Sequence, residues 1–177
     1  MKKGRYIQIK DFLRRLIIGT EWEGHVFTVG GCVRDEIMGL EIKDIDMCVS
    51  LQGGGIRFAE WLRDNGYTTK GVTVYPNYGM AMLHLNEFPE VELEFVQTRK
   101  EKYFDHSCRN PETAFGSIED DCMRRDLTIN ALYTNISTGG LWTLPVKESM
   151  TLRTTSYEHL TILIQYTTMT LFASCDV

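Results

Sequence analysis

The run VFTVGGCVRDEIMGLEIKDIDMCVS, residues 26–50, constrains the fold more than any other part of the chain. An apolar strand is expected at 26–29, and the pair Gly30-Gly31 that follows it marks a turn. A short helix and a second strand come next, so the run predicts a strand–turn–helix–strand unit. Because glycine lets a backbone approach a bound group closely, the turn is a candidate phosphate-binding site, with a plain turn as the alternative.

Arg34 favours the interpretation of the glycine turn as a phosphate site. Its guanidinium carries a fixed positive charge, and its fork of donors fits phosphate oxygens. The backbone N–H groups of Cys32, Val33 and Arg34 are expected to point at the phosphate from the start of the helix. The sequence contains neither GxGxxG nor GxxxxGK[ST], so dinucleotide and P-loop sites find no support.

Two aspartates, Asp44 and Asp46, lie one residue apart in the second predicted strand. Side chains alternate along a strand, so both carboxylates are expected on one face while Ile45 and Met47 point into the core. Two like charges so close together are unfavourable unless a cation lies between them. The pair therefore predicts a metal site, and the alternative is a solvated polar face of an edge strand.

A second strand with paired carboxylates follows at VELEFV, where Glu92 and Glu94 alternate with apolar residues. If this strand lies beside the aspartate strand, one glutamate can face the aspartate pair. Three carboxylates on adjacent strands can hold two divalent cations about 3.5–4 Å apart, the arrangement used for in-line phosphoryl or nucleotidyl transfer. One cation would lower the pKa of an attacking hydroxyl, and the other would neutralise a triphosphate and its leaving group.

The run MRRDLTINALY gathers further polar groups close together in the chain. Arg124 and Arg125 could clamp a triphosphate, while Asp126 and Asn130 could form hydrogen bonds with a sugar or a base edge. Charge pairing at a helix end and an Asn cap are the alternative. Arg99, directly after the glutamate strand, is a further candidate for binding phosphate or for pairing with the carboxylates.

Length, charge and cysteine usage limit the classes of protein. A chain of 177 residues with 43% hydrophobic content is one domain, or one domain with a tail. The five cysteines are widely spread without a CxxC pair, which disfavours zinc and disulfides and favours a cytoplasmic protein. The net charge of −5 argues against nonspecific coating of nucleic acid. No run is long enough to span a membrane, and the N-terminus lacks an apolar signal region.

The order of predicted elements indicates an α+β fold with a small, largely antiparallel or mixed sheet. Residues 99–117 are expected to be irregular, and the segment NEFPE to be a polar turn between two strands. Helices are expected at 9–18, at 56–65 and from 119 to about 125; strands are expected at 26–29, 72–75, 80–85 and 91–96, besides the aspartate strand.

Taken in order, GGCVRDEIMG, KDIDM, VELEFVQTRKEKY and DCMRRDLTINALY resemble the head domain of class II nucleotidyltransferases. This family comprises the bacterial-type CCA-adding tRNA nucleotidyltransferases and the related poly(A) polymerases, and the resemblance covers roughly residues 8–139. It implies a polymerase β-like palm, a mixed or antiparallel sheet flanked by helices. It also implies two Mg²⁺ ions, ATP or CTP as nucleotide donor, and an RNA 3′-hydroxyl as acceptor. The wording VQTRKEKY is closest to the bacterial branch, which favours a tRNA 3′ end, with poly(A) polymerase as the alternative.

The resemblance also implies roles for individual residues. Three match the catalytic and metal-binding carboxylates: Asp44, Asp46 and Glu94. The remaining positions match the phosphate-binding turn with its supporting pair, and the groups that contact triphosphate and sugar: Gly30, Gly31, Arg34, Asp35, Arg99, Arg124, Arg125, Asp126 and Asn130.

After Gly139 the resemblance stops, which predicts a head domain at 1–139 and an aberrant tail at 140–177. Family members continue with a Thr-Gly-Lys-Gly-x-Asp-Asp type of segment and a neck that selects the nucleotide. A shifted reading frame can restore TLDLTGKGVDD from GLWTLPVKESMT and DDPFRILRC from the last residues, so we expect a frameshift from about residue 140; an ordinary β-rich tail is the alternative. Without a neck, the chain could be a nucleotide- or RNA-binding remnant with little turnover.

A small nucleotidyltransferase that modifies a protein or a drug is a further alternative. Such enzymes usually carry a Gly-Ser turn before the aspartate pair. The Gly30-Gly31 turn and the run RRDLTINAL speak against this interpretation.

Overall fold

The structure is a computed structural model that describes residues 1–102, 112–125 and 128–143. Within these residues the helices alternate with strands along the first half of the chain, and strands dominate the second half. The helices are α1 (Lys3–Ile17), α2 (Gly31–Met38), α3 (Gly54–Asp64) and α4 (Ile118–Met123), with short 3-10 turns at Pro76–Tyr78 and Thr128–Asn130. The strands are β1 (Val26–Val29), β2 (Ile45–Val49), β3 (Thr73–Tyr75), β4 (Met80–Leu85), β5 (Phe88–Gln97), β6 (Arg99–Lys102), β7 (Glu112–Phe115), β8 (Leu132–Asn135) and β9 (Leu141–Thr143).

The main sheet is mixed and has the strand order β3-β4-β5-β2-β1-β8-β9. Strands β2 and β5 are parallel, and the other neighbours are antiparallel. The predicted α+β class with a mixed sheet flanked by helices is thereby confirmed. The parallel pair places the aspartate strand directly beside the glutamate strand at the centre of the sheet.

Apolar side chains cover both faces of the sheet, which explains why all of β1 is buried. On one face, α1 and α3 pack against the sheet; Phe58 of α3 contacts Trp22 and Phe95 with ring centroids 5.0 and 5.2 Å apart. On the opposite face, a smaller cluster joins Cys122 of α4 to Phe27 and neighbouring strand residues. The inward face of α3 includes the buried residues Phe58, Ala59 and Leu62.

Strands at 26–29 and 80–85 were predicted with the observed bounds. The first helix was predicted too short, since it begins at Lys3 rather than at residue 9. The expected NEFPE turn is also shorter, because β5 already begins at Phe88. Pro89 lies in the strand where the pairing with β4 shifts register, a place where a missing N–H is tolerated.

The prediction of irregular structure over 99–117 is wrong for residues 99–102 and 112–115, and residues 103–111 lie outside the described residues. Strands β6 and β7 form a separate two-stranded antiparallel ladder, with Arg99 opposite Phe115. Ser117 then starts α4 with a capping box, in which Ser117 Oγ accepts from the Asp120 N–H and the Asp120 carboxylate accepts from the Ser117 N–H. The polar strand β6 carries no apolar alternation, so its pairing left no signal in the sequence.

Among the described helices, none has both the length and the apolar composition needed to cross a bilayer.

Candidate active site

The carboxylates predicted from two separate runs lie side by side on the central strands. In the parallel pairing of β2 with β5, Asp46 is directly opposite Glu94. Asp44 directly precedes β2, and Ile45 and Met47 are 2% and 0% exposed, respectively. The predicted alternation is therefore confirmed, as is the neighbourhood of Glu94 and the aspartate strand.

Electrostatic repulsion acts within this carboxylate group. The surrounding protein raises the pKa of Asp46, and the negative charge of Asp44 raises it further, whereas Arg125 acts in the opposite direction. Partial burial likewise raises the pKa of Glu94, and the charges of Asp46, Glu92 and Asp44 add to the effect. Asp46 is exposed to solvent, yet the surrounding protein and the charge of Asp44 disfavour its ionised form and so raise its pKa.

A pocket of about 410 Å³ is lined by Asp46 and Glu94 together with Arg99, Arg124 and Arg125. The structure thus brings together carboxylates and arginines that are far apart in the sequence. A cavity of this kind, walled by opposite charges, can hold a polyanion against the arginines while carboxylates face its other end.

Asp44 lies outside this pocket and lines a neighbouring cavity of about 520 Å³ together with Lys43 and Glu92. Asp44 and Asp46, two residues apart in the chain, thus line different cavities. Within the described ranges, no three His, Cys, Asp or Glu side chains come close enough together to form a ready metal cage. Asp46 and Glu94 line one cavity and Asp44 lines the other, while the charges of both aspartates act on Glu94.

The arginine side of the pocket is organised by Asp121, which is fully buried at the end of α4. Its Oδ1 accepts from Arg124 Nε and Nη2 at 3.0 and 2.8 Å and from the Arg99 backbone N–H at 3.1 Å. Its Oδ2 accepts from Tyr133 Oη at 2.6 Å and from Arg125 Nη2 at 3.2 Å. One carboxylate therefore fixes both arginines of the RRD run and the first residue of β6.

The charges in this network are mutually stabilised. Burial alone would raise the pKa of Asp121, but the hydrogen bond from Tyr133 and the charges of Arg124 and Arg125 outweigh it and hold that pKa below its ordinary value. Burial would lower the pKa of Arg125, but Tyr133 and Asp121 raise it. Burial and the neighbouring Asp121 charge raise the pKa of Tyr133, whose hydroxyl also accepts from Arg125 Nε at 3.0 Å. The tyrosine therefore stays neutral and connects the two charged groups.

Helix-end charge pairing, the alternative for the RRD run, thus occurs: Arg124 and Arg125 pair with Asp121 at i,i+3 and i,i+4 spacing. The same arginines line the pocket, so pairing and exposure to a ligand coexist. Arg99 also lines the pocket, and its Nη2 lies 3.3 Å from Glu101 Oε1. Asp126 lies outside the described residues.

The glycine turn lies next to these arginines. Gly30 has φ 76° and ψ −131°, a conformation that favours glycine, and a Cβ added there would lie 3.6 Å from Arg125 Nη1. Arg34 donates from Nε to Asp35 Oδ1 at 2.8 Å and from Nη1 to Asn130 Oδ1 at 3.0 Å. The predicted supporting pair of Arg34 and Asp35 is present, and the turn, α2 and Asn130 form one polar cluster with Arg125.

One detail of the predicted phosphate turn is wrong. The Arg34 backbone N–H donates to the Gly30 carbonyl at 3.1 Å, so it is occupied within the first turn of α2. Gly30 is the N-cap of α2, and the carbonyl of an N-cap residue accepts the first hydrogen bond of its helix. Because the Arg34 N–H is used in this bond, Arg34 can contribute to anion binding only through its side chain.

The sequence reasoning missed Asp121 and Tyr133. The i,i+3 and i,i+4 spacing from Asp121 to the two arginines was an available signal. It was hidden because Glu119, Asp120 and Asp121 read as one solvated acidic start of a helix. Tyr133 comes later in the sequence, in β8, and its spacing from Asp121 does not indicate that the two side chains meet.

The fold and the site together define a class, a nucleotidyltransferase head with a mixed central sheet carrying carboxylates beside an arginine-lined pocket. Residues 26–144 match the family described as Poly A polymerase head domain. The chain belongs to this family, that is, to the head domains of class II nucleotidyltransferases. Proteins of this class generally use divalent metals.

Named relatives agree with this class. The mitochondrial CCA tRNA nucleotidyltransferase of Candida glabrata is 35% identical over 60% of this chain and 22% of its own length. The A-adding tRNA nucleotidyltransferase of Geobacter sulfurreducens is 36% identical over 72% of this chain and 14% of its own length. The chain therefore spans less than a quarter of the length of these curated relatives.

A solved structure gives the same result for the fold. It is described as a tRNA nucleotidyltransferase complexed with a primer tRNA and an incoming ATP analog. It is 30% identical with a TM-score of 0.51, covering 68% of this chain and 31% of its own chain.

Proposed function

We propose that this chain is the catalytic head of a tRNA nucleotidyltransferase that transfers NMP from ATP or CTP to the 3′-hydroxyl of a tRNA. In this reaction the RNA 3′ oxygen forms a bond to the α-phosphorus, the bond from that phosphorus to the β-phosphate oxygen breaks, and pyrophosphate leaves. One observation carries the proposal: Asp46 and Glu94 lie on adjacent strands, and both line one pocket with Arg124 and Arg125.

The carboxylates fit a divalent cation by their chemistry. Hard oxygen donors are the ligands that Mg²⁺ prefers. Partial burial raises the pKa values of Asp46 and Glu94, the neighbouring carboxylates raise them further, and a bound cation would offset both effects by favouring the ionised forms. We assign two Mg²⁺ ions to Asp44, Asp46 and Glu94. When bound, such ions lower the pKa of an attacking hydroxyl and neutralise phosphate charge.

The chain's own residues supply binding and orientation. Arg124 and Arg125 are held by Asp121 before any ligand arrives, so they can meet the triphosphate without reorganisation. Arg34, Asp35 and the Gly30-Gly31 turn extend this anion-binding surface, and Arg99 contributes from the start of β6. For Asn130 and Asp126 we propose contacts with the sugar, by their match to the family motif.

CCA addition and the addition of A alone differ in the nucleotides that the enzyme incorporates. The relatives include enzymes named for CCA addition and for A addition. The decisive assay incubates the chain with tRNA lacking its 3′ end, Mg²⁺ and each labelled NTP. Incorporation of C and then A supports CCA addition, and incorporation of A alone supports an A-adding or poly(A) polymerase.

Binding without incorporation would define the alternative, a nucleotide-binding remnant with little turnover. Calorimetry with all four NTPs tests this alternative. A remnant is expected to bind the four nucleotides with similar affinity, whereas a complete enzyme is expected to prefer CTP and ATP over the other two. If the folded chain neither binds nor incorporates any of the four NTPs, the proposed function is wrong.

We also propose a change of reading frame near residue 140, with a head domain at 1–139. The family match runs to residue 144, and β9 at Leu141–Thr143 pairs with β8 in the sheet. The segment that the frameshift reinterprets begins at Gly140, so residues 140–143 of it are described and the rest lies outside the described residues. Sequencing the coding DNA tests it: if no single-base change restores family wording downstream, the proposal is wrong. A cytoplasmic location likewise remains a proposal, which fractionation would test.

A further inference from the structure

An exposed tyrosine lies on the rim of the pocket and has no role in the chemistry above. Tyr78 is 65% exposed, and it lines the same pocket as Asp46, Glu94 and Arg125. Tyr75, three residues earlier, is 39% exposed and lines neither of the two cavities described above. The pocket is therefore lined by an exposed aromatic residue as well as by arginines.

The turn that carries Tyr78 is held tightly in place. A Cβ added to Gly55 of α3 would lie 2.7 Å from the carbonyl oxygen of Gly79, closer than any side chain allows. On its other side, Gly79 has φ 60°, and a Cβ added there would lie 3.3 Å from the side chain of Gln97. Gln97 Oε1 in turn accepts from the Gly53 N–H at 2.8 Å. The turn is thus wedged between the start of α3 and β5, and the base of Tyr78 has little freedom.

A fixed aromatic ring that faces solvent beside a polyanion site suits one kind of ligand. Every nucleobase has a flat π-face, and stacking on an aromatic side chain is the common way in which proteins bind unpaired bases. Phosphates attached to such a base would meet the arginines that line the same pocket.

We propose that Tyr78 is a stacking platform for a nucleobase at this pocket. The inference rests on the proposed function and deepens it, since it assigns a contact for the base in addition to those for the phosphates. The base belongs either to the incoming nucleoside triphosphate or to the 3′-terminal nucleotide of the RNA. Both present the same flat ring, and separate binding measurements distinguish them.

The test measures dissociation constants of the full chain for three probes in the presence of Mg²⁺: ATP, inorganic tripolyphosphate and a short RNA ending in cytidine. Tyr78→Ala is expected to weaken binding of ATP or of the RNA on the order of tenfold, because one stacking contact is lost. Tripolyphosphate carries no base, so its affinity is expected to remain unchanged. The probe that weakens identifies the source of the base.

Two variants serve as controls. Tyr78→Phe keeps the ring and is expected to bind like the wild type, and Tyr75→Ala removes a nearby exposed tyrosine outside the pocket and should change none of the three affinities. Unchanged binding of ATP and RNA by Tyr78→Ala would overturn the platform. Equal weakening of all three probes would also overturn it, since the effect would then be structural. If the wild-type chain itself binds none of the probes, the proposed function fails together with the platform.

Discussion

The two sides of the pocket differ in how their charges are balanced. On the arginine side, the buried Asp121 carboxylate accepts from Arg124, Arg125 and Tyr133, so opposite charges lie within hydrogen-bonding distance of each other. On the carboxylate side, Asp46 lies opposite Glu94 in the sheet; the pKa of Glu94 is raised by partial burial and by the charge of Asp46, and the pKa of Asp46 by partial burial and by the charge of Asp44. The charges on the arginine side are thus paired without a ligand, whereas the carboxylate side carries an excess of negative charge.

The arginines are therefore positioned when the chain folds, whereas the carboxylates reach charge balance only when a cation binds. A network whose charges are already paired can present arginines in a fixed geometry, and its contribution is made when the chain folds. A cluster of like charges opposes folding slightly and gains most when a cation binds. Changes on the two sides should therefore have opposite effects on stability, which makes the comparison testable.

The largest effect is expected on catalysis from the carboxylate side. Asp46→Asn should lower nucleotidyl transfer on the order of 10³-fold, because the variant loses charge that stabilises the transition state. The rate is measured with tRNA lacking its 3′ end and a labelled NTP. Glu92→Gln is the matched control, since Glu92 is exposed and lines the other cavity. Transfer by Asp46→Asn at the wild-type rate would show that the reaction centre lies elsewhere.

A large loss of stability is expected from the arginine side. Asp121→Asn leaves Arg125, whose side chain is 19% exposed, without this counter-charge, and it leaves Arg124, 18% exposed, with Glu101 at 3.6 Å as its remaining carboxylate partner. The free energy of unfolding should fall by about 3 kcal/mol. Urea unfolding measures this change, with Glu119→Gln in the same helix as the exposed control. A loss no larger than that of the control would contradict the role of Asp121 as the centre of the network.

A smaller effect of opposite sign is expected for Asp46→Asn in metal-free buffer. Removing one of the like charges should raise the free energy of unfolding by about 0.5 kcal/mol, a small value because solvent screens an exposed group. Addition of Mg²⁺ should stabilise the wild type more than the variant and so cancel the gain. A metal-free destabilisation by Asp46→Asn would remove the contrast between the two sides.

The smallest effect is a difference in pH dependence. The pKa of Asp46 is raised on folding, so its protonation favours the folded chain; metal-free stability should fall as the pH rises through that pKa. The pKa of Asp121 is lowered, so its contribution is present above the ordinary aspartate value and is lost only as the pH falls through the lowered pKa. Thermal midpoints between about pH 8 and about pH 3 measure both trends, spanning ordinary carboxyl pKa values.

Two variants assign these trends. With Asp46→Asn, the fall in metal-free stability toward higher pH should be reduced, and with Asp121→Asn, the loss in acid should be reduced. Wild-type-like pH profiles in both variants would show that other groups cause the trends.

Much of the carboxylate side could be predicted from the sequence, and little of the arginine side could. Alternation with apolar residues fixed the faces of Asp46 and Glu94, because a strand of period two leaves no other choice once Ile45 and Leu93 are buried. That β2 and β5 are neighbours was a conditional expectation, since strand order depends on packing of the whole chain.

The spacing from Asp121 to the two arginines was a signal in the sequence, but the burial that distinguishes Asp121 from Asp120 and Glu119 is a property of the fold. Its partner Tyr133 comes from β8, and the Arg99 backbone N–H comes from β6, so the network exists only after three elements meet. The β6–β7 ladder was missed for a related reason: a polar strand carries no hydrophobic period.

The central claim is that Asp46 and Glu94 hold divalent cations beside a bound triphosphate. Electron paramagnetic resonance of Mn²⁺ titrated into the chain with ATP tests it most directly, using Asp46→Asn and Glu94→Gln beside the Glu92→Gln control. We predict that the wild type and the control bind Mn²⁺ in the presence of ATP and that both site variants lose this binding. Wild-type affinity for Mn²⁺ and ATP in Asp46→Asn and Glu94→Gln would contradict the account.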